Sequence, residues 1–587
     1  MAKRGGKVHI AVTRRHYKGT EYKTTLLRRS YRENDKVRNE TVGNLSHLDE
    51  WMIDGLRAML AGRRLIDLDD EFEIVRSLPH GHVAAVLGVL REQGLERLLS
   101  RARCRERDLC VAMIIQQVLR PGSKLAHTRR YSKTTLGEEL DLGAVKEAEL
   151  LAAMDWLLER QERIEKTLAK RHLAGGGFVL YDLSSSYMEG RCCPLAKLGY
   201  SRDNVKGKLQ ITYGLTCSPE GRPIAIAVHE GNITDQQTLP GAVHAVSQRF
   251  GIEHVVVVGD RGMITQAHAQ TLTEQGIEFI TALKAVQVRA LVNSGDLQLS
   301  LFDQTNLAEI TSELYPGERL VVCRNPAVAA ERARKRESML QATETELAKV
   351  KKMVDGERGT LRNAPAGKIG ERAGKVSNKY KMAKHFELQI SDGSFSYQRK
   401  TEQITTEAAL DGFYVIRSTS QHPTLTSQAT VRAYKQLKMA ERAFHTIKDT
   451  LEIRPIRHHL EDRVRTHAFL SMLAYYVSFE LRQHLSPLLF DDETPQAPTD
   501  PVSPAQRSPN AKAKAASAHT EHGYPAHTLP DLLDDLATLC RNTLRIGPSH
   551  HTFTRLTTPT ELQATALELL GTKRGKYARA GCRRGRP

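Results

Sequence analysis

The sequence predicts an α/β protein, with a mixed sheet flanked by helices, a helical N-terminal region and an inserted subdomain. Three observations carry this. Two continuous apolar runs, Phe178-Val179-Leu180-Tyr181 and Val255-Val256-Val257-Val258, each lead into an aspartate, Asp182 and Asp260. Runs of this length read as strands buried on both faces. Between 175 and 284 the pattern alternates between strand and helix. Finally, Tyr434 to Lys448 contains no Gly or Pro and is dominated by good helix formers, so it reads as a helix.

At 587 residues the chain is long enough for several domains and a large core. It holds 86 Lys+Arg against 68 Asp+Glu, a formal charge of +18. That excess suits a polyanionic partner, nucleic acid before membrane. The N-terminus has no apolar run of the signal-peptide kind. The longest apolar helix candidate, 468–479, is too short to span a bilayer. Eight cysteines are scattered without a CxxC pair, which fits a reduced, cytoplasmic setting.

In chain order, residues 1–45 form a basic β-hairpin-like unit. They hold 12 Lys/Arg and 4 Asp/Glu, with Tyr17, Tyr22 and Tyr31 interleaved and a turn at Glu33-Asn34-Asp35. Lys/Arg ladders on such a ribbon suit DNA, against the plainer reading of a solvated face. Residues 46–174 read as helical. Asp108 caps a helix over 109–119, and a second helix runs from Ala148 to His172. From 175 to 284 come strands over 178–182, 208–217 and 223–230, a helix over 236–250, a strand over 254–259, a helix over 266–275 and a strand over 278–283. Residues 285–409 interrupt this core. There Asn325-Pro326 starts a helix, and Leu340, Leu347 and Val354 recur every seven residues, a seam for a packed helical hairpin or a dimer. The core resumes over 410–485, with a strand at 412–417 feeding the 434–448 helix and a long helix over 460–482. Residues 486–530, rich in Pro, Ala, Ser and Thr, read as a flexible linker. Residues 531–587 give a short helix and a basic tail, with seven Lys/Arg and no acid from Lys573 onward.

Tyr434, Glu441 and Lys448 are spaced by seven, about two turns at 3.6 residues per turn, so one helix face would carry all three. A carboxylate between a phenol and an ammonium is what a helix beside a metal-bound phosphate backbone needs. Each residue has a plainer reading. An Asp after a strand is often a turn cap, and a helix Glu beside Lys and Arg is usually a surface ion pair.

Taken together, Asp182, Asp260 and Glu441, with Tyr434 and Lys448 around the Glu, resemble the Asp-Asp-Glu triad and Tyr-Arg-Glu-Lys signature of insertion-sequence DDE transposases of the IS-four-like superfamily. From about Leu109 to Tyr476 the wording is similar to the IS-sixteen-thirty-four type branch. The stretches that carry this are Tyr181-Asp182-Leu183-Ser184-Ser185, Gly199-Tyr200-Ser201-Arg202-Asp203, Glu230-Gly231-Asn232, Gly259-Asp260-Arg261-Gly262-Met263 and Arg454-Pro455-Ile456. The strand and helix order over 175–284 is ribonuclease-H-like, as the resemblance implies. One position departs: Leu437 stands where the signature has Arg, with Lys438 and Arg442 nearby to supply charge.

The resemblance implies that the three carboxylates bind two Mg²⁺ ions, with Mn²⁺ a substitute. Such ions clamp the attacking and leaving oxygens of phosphodiester cleavage at the element ends and of 3′-OH transfer into target DNA. Tyr434, Lys438, Arg442, Lys448 and Arg261 would contact DNA, with Asn232 a weaker candidate. The partners would be double-stranded DNA and a second copy of the chain, beside the bacterial nucleoid. The competing expectations are a nuclease that cuts without joining and a DNA-binding protein without catalysis.

Overall fold

A computed structural model describes residues 7–33, 36–62, 72–173, 177–203, 205–244, 249–250, 255–261, 263–420, 425–496, 498–546 and 552–571. The expected turn at Asn34-Asp35, Gly262 and the basic tail from Lys573 lie outside them. The chain divides into two units. One takes the described residues up to Ser77 with Asn542–Leu556; the other takes Leu78–Arg541 with the described residues from Thr557 on.

The first unit carries an antiparallel sheet, β1 (Lys7–Tyr17), β2 (Thr20–Glu33) and β3 (Lys36–Asn44), in that order. The expected hairpin thus has a third strand. Lys18 (φ 49°) and Gly19 (φ 78°) turn β1 into β2 with both central residues at positive φ, the geometry that matches strand twist in a two-residue hairpin. A helix over Glu50–Leu60 follows. Then comes β4 (Phe72–Pro79), a strand inside the region read as helical.

In the second unit, helices Arg105–Leu119, Glu147–Leu158 and Gln161–Leu173 replace the two expected ones. Asp108 is not the cap. The first helix starts a turn earlier, and Asp108 is buried, held by Arg103 (2.6 Å) and Arg107 (2.9 Å). The centre is an eight-stranded mixed sheet. Its strands are β5 (Gly177–Tyr187), β6 (Gln210–Cys217), β7 (Pro223–Glu230), β8 (Val255–Gly259), β9 (Glu278–Ala282), β10 (Leu307–Ile310), β11 (Arg319–Arg324) and β14 (Phe413–Ser418), in the order β10-β11-β14-β9-β8-β5-β6-β7. β5 runs parallel to β8, and β8 to β9; the other neighbours are antiparallel.

The insertion is therefore only partly separate, because β10 and β11 extend the main sheet. The rest builds its own core. Helix Pro326–Asp355, capped by Asn325 accepting from Val328 N–H at 3.1 Å, packs against helix Ala366–Lys379 and the hairpin β12 (Phe386–Ser391) and β13 (Ser394–Arg399). Leu340, Leu347 and Val354 are buried in that core with Ile369 and Phe395, so the heptad seam serves an intramolecular hairpin.

Helix Glu461–Leu485 is buried almost all round, as expected of a helix apolar on every face. Residues 486–530 depart from a flexible linker. They hold a helix over Pro509–Ser517, and Lys514 is buried, its ammonium donating to the Leu489 and Asp491 carbonyls at 2.9 Å each. The Glu493 carboxylate, 2.7 Å from the same ammonium, supplies the counter-charge that lets a Lys be buried, which composition does not reveal. Helix Leu529–Ala537 leads into β15 (Cys540–Ile546), which with β16 (Thr552–Leu556) and β4 forms a sheet in the order β16-β15-β4. Among the described residues no helix is long and apolar enough to cross a membrane.

Candidate active site

The register of the central sheet sets the first two carboxylates. Tyr181 on β5 stands opposite Gly259 on β8, so Asp182 and Asp260 follow at the same level on adjacent parallel strands. Asp182 is not at a strand end, as the sequence suggested. β5 continues to Tyr187 against β6, with Asp182 opposite Leu215, while its pairing with β8 stops at Tyr181. Asp182 therefore sits where one side of the strand loses its neighbour and opens. Its Oδ1 accepts from Leu183 N–H at 2.8 Å, and Asp260 Oδ1 accepts from Arg261 N–H at 2.7 Å.

The expected continuous helix from Tyr434 to Lys448 is in three pieces. Helix Ser427–Lys435 ends at Gln436, helix Leu437–His445 follows, and Thr446–Thr450 is a wider π-helical turn. The seven-residue spacing therefore does not put all three residues on one face. Leu437, Ala440, Ala443 and Phe444 point inward, with the Phe444 ring edge-on to Tyr213 at 5.7 Å. Glu441 is left exposed.

Asp182, Asp260, Glu441, Tyr434, Arg261, Leu437 and Lys438 line one open cavity of about 500 Å³. Burial pushes the Asp182 carboxyl up to about 7, with the nearby Asp260 and Glu441 carboxylates adding to the rise. Burial raises the Tyr434 phenol as well, Asp260 adding to it, so Tyr434 is a neutral O–H donor. A buried carboxyl whose proton affinity two nearby carboxylates raise belongs to a hard-oxygen donor set suited to divalent cations. Among the described residues, no three His, Cys, Asp or Glu side chains close on a single point.

Two expected DNA contacts lie elsewhere. Lys448 is 10% exposed and donates to Asp203 Oδ1 at 2.7 Å. Arg442 pairs with Asp491 at 2.8 Å. Sequence reasoning missed Arg332, an exposed cation that the inserted helix Pro326–Asp355 brings to the cavity, and Lys435, which donates to the Val502 and Ser503 carbonyls at 2.8 Å each. It also missed Asp203 as a partner, although Arg202-Asp203 stands in a stretch already singled out. Asn232 is not among the cavity-lining residues.

Residues 196–477 match the family described as a transposase DDE domain, and residues 10–67 match the N-terminal domain of the IS1634 family transposases. The DDE match begins after Asp182 and includes Asp260 and Glu441. No curated protein matches the chain. Among solved structures, the piggyBac transposase synaptic complex with hairpin DNA aligns with a TM-score of 0.31 at 9% identity, over 68% of this chain and 73% of that one. The protein is a DDE transposase, a polynucleotidyl transferase of the kind whose chemistry uses divalent metal ions. Within that class it belongs to the insertion-sequence transposases of the IS1634 type.

Proposed function

We propose that Asp182, Asp260 and Glu441 are the catalytic carboxylates and hold two Mg²⁺ ions, for which Mn²⁺ substitutes. The observation that carries this reading is the shared cavity. A mid-strand Asp, the Asp after the parallel neighbour and a helix Glu line one opening, and the buried Asp182 carboxyl feels the other two. We assign the core over β5–β9 to the ribonuclease-H-like fold. In sheet order β7-β6-β5-β8-β9, three antiparallel strands come first and two parallel ones are added beside β5, which supports the assignment.

Bound ions would activate water, or a 3′-OH, and stabilise the leaving oxygen in an in-line displacement. The chain's own residues do the rest. Asp182, set by the β5–β8 register, presents its carboxylate to the opening. Tyr434 donates a hydrogen bond from its phenol to a phosphate oxygen. Lys438, Arg261 and Arg332 bring positive charge to the DNA backbone along the cavity rim. Element ends are cut to free a 3′-OH, which then joins target DNA. Two copies on paired ends, in the cytoplasm beside the nucleoid, complete the assembly.

The test is a strand-transfer assay with the element's own terminal duplexes and a supercoiled target. Wild-type protein joins ends in Mg²⁺ or Mn²⁺, whereas Asp182→Asn, Asp260→Asn and Glu441→Gln bind DNA without joining. Joining by the Asp182 variant at the wild-type rate would overturn the assignment.

A further inference from the structure

The β1–β2 ribbon of the first unit has two chemically different faces. Side chains alternate along a strand, and cross-strand partners share a face. On one face the register places Arg14 opposite Lys23 and Arg29 opposite Glu40. The charges there are partly neutralised: Arg14 pairs with Glu21 at 3.4 Å and Lys23 with Glu50 at 3.2 Å. Thr25, on the same face, is only 3% exposed.

The other face carries Lys7, Arg15, Arg28 and Arg32, with His9 between them. Among the described residues this face has no Asp or Glu on any of its three strands, and none of the four cations has a carboxylate partner. Lys7, Arg15 and Arg32 are exposed, and Arg28 Nε is buried without an acceptor. Four like charges on one face without counter-charge repel one another, so an anionic partner would relieve the face.

The shape narrows the partner. β3 stops at Asn44, opposite Leu26, and Leu45 N–H still bonds the Thr25 carbonyl at 2.8 Å, so the five register pairs from Thr13↔Thr24 to Tyr17↔Thr20 project as a two-stranded ribbon. At about 3.4 Å per residue the ribbon is about 17 Å long, and a two-stranded ribbon fits the DNA major groove, about 12 Å wide. Tyr17 and Tyr22, 65% and 55% exposed, stand on the cationic face at this tip, a composition suited to phosphates with base edges between them.

We infer that the acid-free face of the β1–β2 ribbon is a duplex-DNA binding surface, its tip entering the major groove and Lys7, Arg15, Arg28 and Arg32 gripping the flanking phosphates. The inference rests on the transposase reading only for the choice of duplex DNA as the polyanion. It adds a second DNA contact, distinct from the carboxylate cavity, that needs no metal.

The test uses the full chain in EDTA and a fluorescein-labelled 40-bp duplex of mixed sequence, with anisotropy read at several salt concentrations. Lys7→Gln/Arg15→Gln/Arg32→Gln weakens binding at least about tenfold and lowers the slope of log affinity against log salt by roughly two to three, about 0.9 per lost phosphate contact. Arg14→Gln/Arg29→Gln, on the opposite face, stays within about twofold. Equal losses from both variants, or no loss from the first, would overturn the inference. So would a change of oligomeric state by light scattering with DNA affinity intact, which would assign the face to a second copy. Strand transfer is scored separately. Joining by wild type alongside unchanged binding by the triple variant sinks the ribbon alone; salt-dependent binding without any joining sinks the catalytic reading alone.

Discussion

Lys448 and Arg454 share one acceptor, Asp203, whose carboxylate is 1% exposed. The Lys448 ammonium sits 2.7 Å from Asp203 Oδ1, and Arg454 turns its other nitrogen to Asp449 at 2.7 Å. The signature lysine is therefore anchored on the π-helical turn and is not among the cavity-lining residues, with burial pulling its pKa down. Removing the carboxylate leaves two cations beside each other with little water. Breaking a buried pair costs about 3–5 kcal/mol, toward the lower end here because Arg454 keeps Asp449 and is partly exposed. Asp203→Ala is expected to lower the urea midpoint accordingly. An unchanged midpoint would mean the pair carries no stability.

Burial beside two like charges makes the Asp182 carboxylate costly to the fold. Asp182 is driven toward its neutral form by burial and by Asp260 and Glu441. In EDTA, Asp182→Asn is expected to melt at a higher temperature than wild type, because the amide removes the like-charge cost; clustered acids commonly behave this way. Adding Mg²⁺ is expected to raise the wild-type melting temperature by mass action and to leave the variant nearly unmoved. A variant that melts lower in EDTA would contradict the electrostatic picture.

The strands around the site were legible because each is a local apolar run. Phe178–Tyr181, Val255–Val258 and Pro223–Glu230 announce themselves by continuous hydrophobicity, and Asn325-Pro326 announces a helix by cap chemistry. What stayed hidden depends on distant partners. β4 has an unremarkable pattern and becomes a strand because β15, over 450 residues later, pairs with it. The continuation of β5 past Asp182 requires β6 on one side after β8 has ended on the other. Lys514 looks like linker charge until Glu493 and the carbonyls that accept its hydrogen bonds are placed. The break at Gln436 leaves no mark in propensity, so a seven-residue spacing read as one face spans two helices and a π turn.

Acid should unfold the second unit before it titrates most carboxylates. Burial lowers His80 to about 4 and His127 to about 2, and holds His467 well below its ordinary value of 6.5. Each ring binds a proton less readily folded than unfolded, so each contributes stability above about 6.5 that is lost as pH falls below it. Up to about 1.4 kcal/mol per pH unit is lost per ring. Among the described residues neither ring nitrogen of His127 has a hydrogen-bond partner. Thermal melts from pH 7.5 to 5 are expected to fall steadily, and His127→Leu should flatten that fall without lowering the melt at pH 7.5. A parallel acid limb in the variant would remove His127 from the cause.

Leu437 occupies the signature's arginine position, and its environment explains why restoring Arg is expected to harm rather than help. It is 8% exposed, opens helix Leu437–His445 and belongs to the main apolar core as well as the cavity wall. A guanidinium there would have to be desolvated among apolar neighbours or force the helix outward, a cost of several kcal/mol without a paired acid. The neighbouring Lys438 is exposed and lines the same cavity, whereas Arg442 is already paired with Asp491. Of these two cations only Lys438 lines the cavity, together with Arg332. Leu437→Arg is expected to lower the melting temperature and leave strand transfer no faster than wild type. Lys438→Ala should keep the fold, weaken binding of the terminal duplex and lower the salt slope by about one. Faster joining by Leu437→Arg at an unchanged melting temperature would show that the position still tolerates the signature cation.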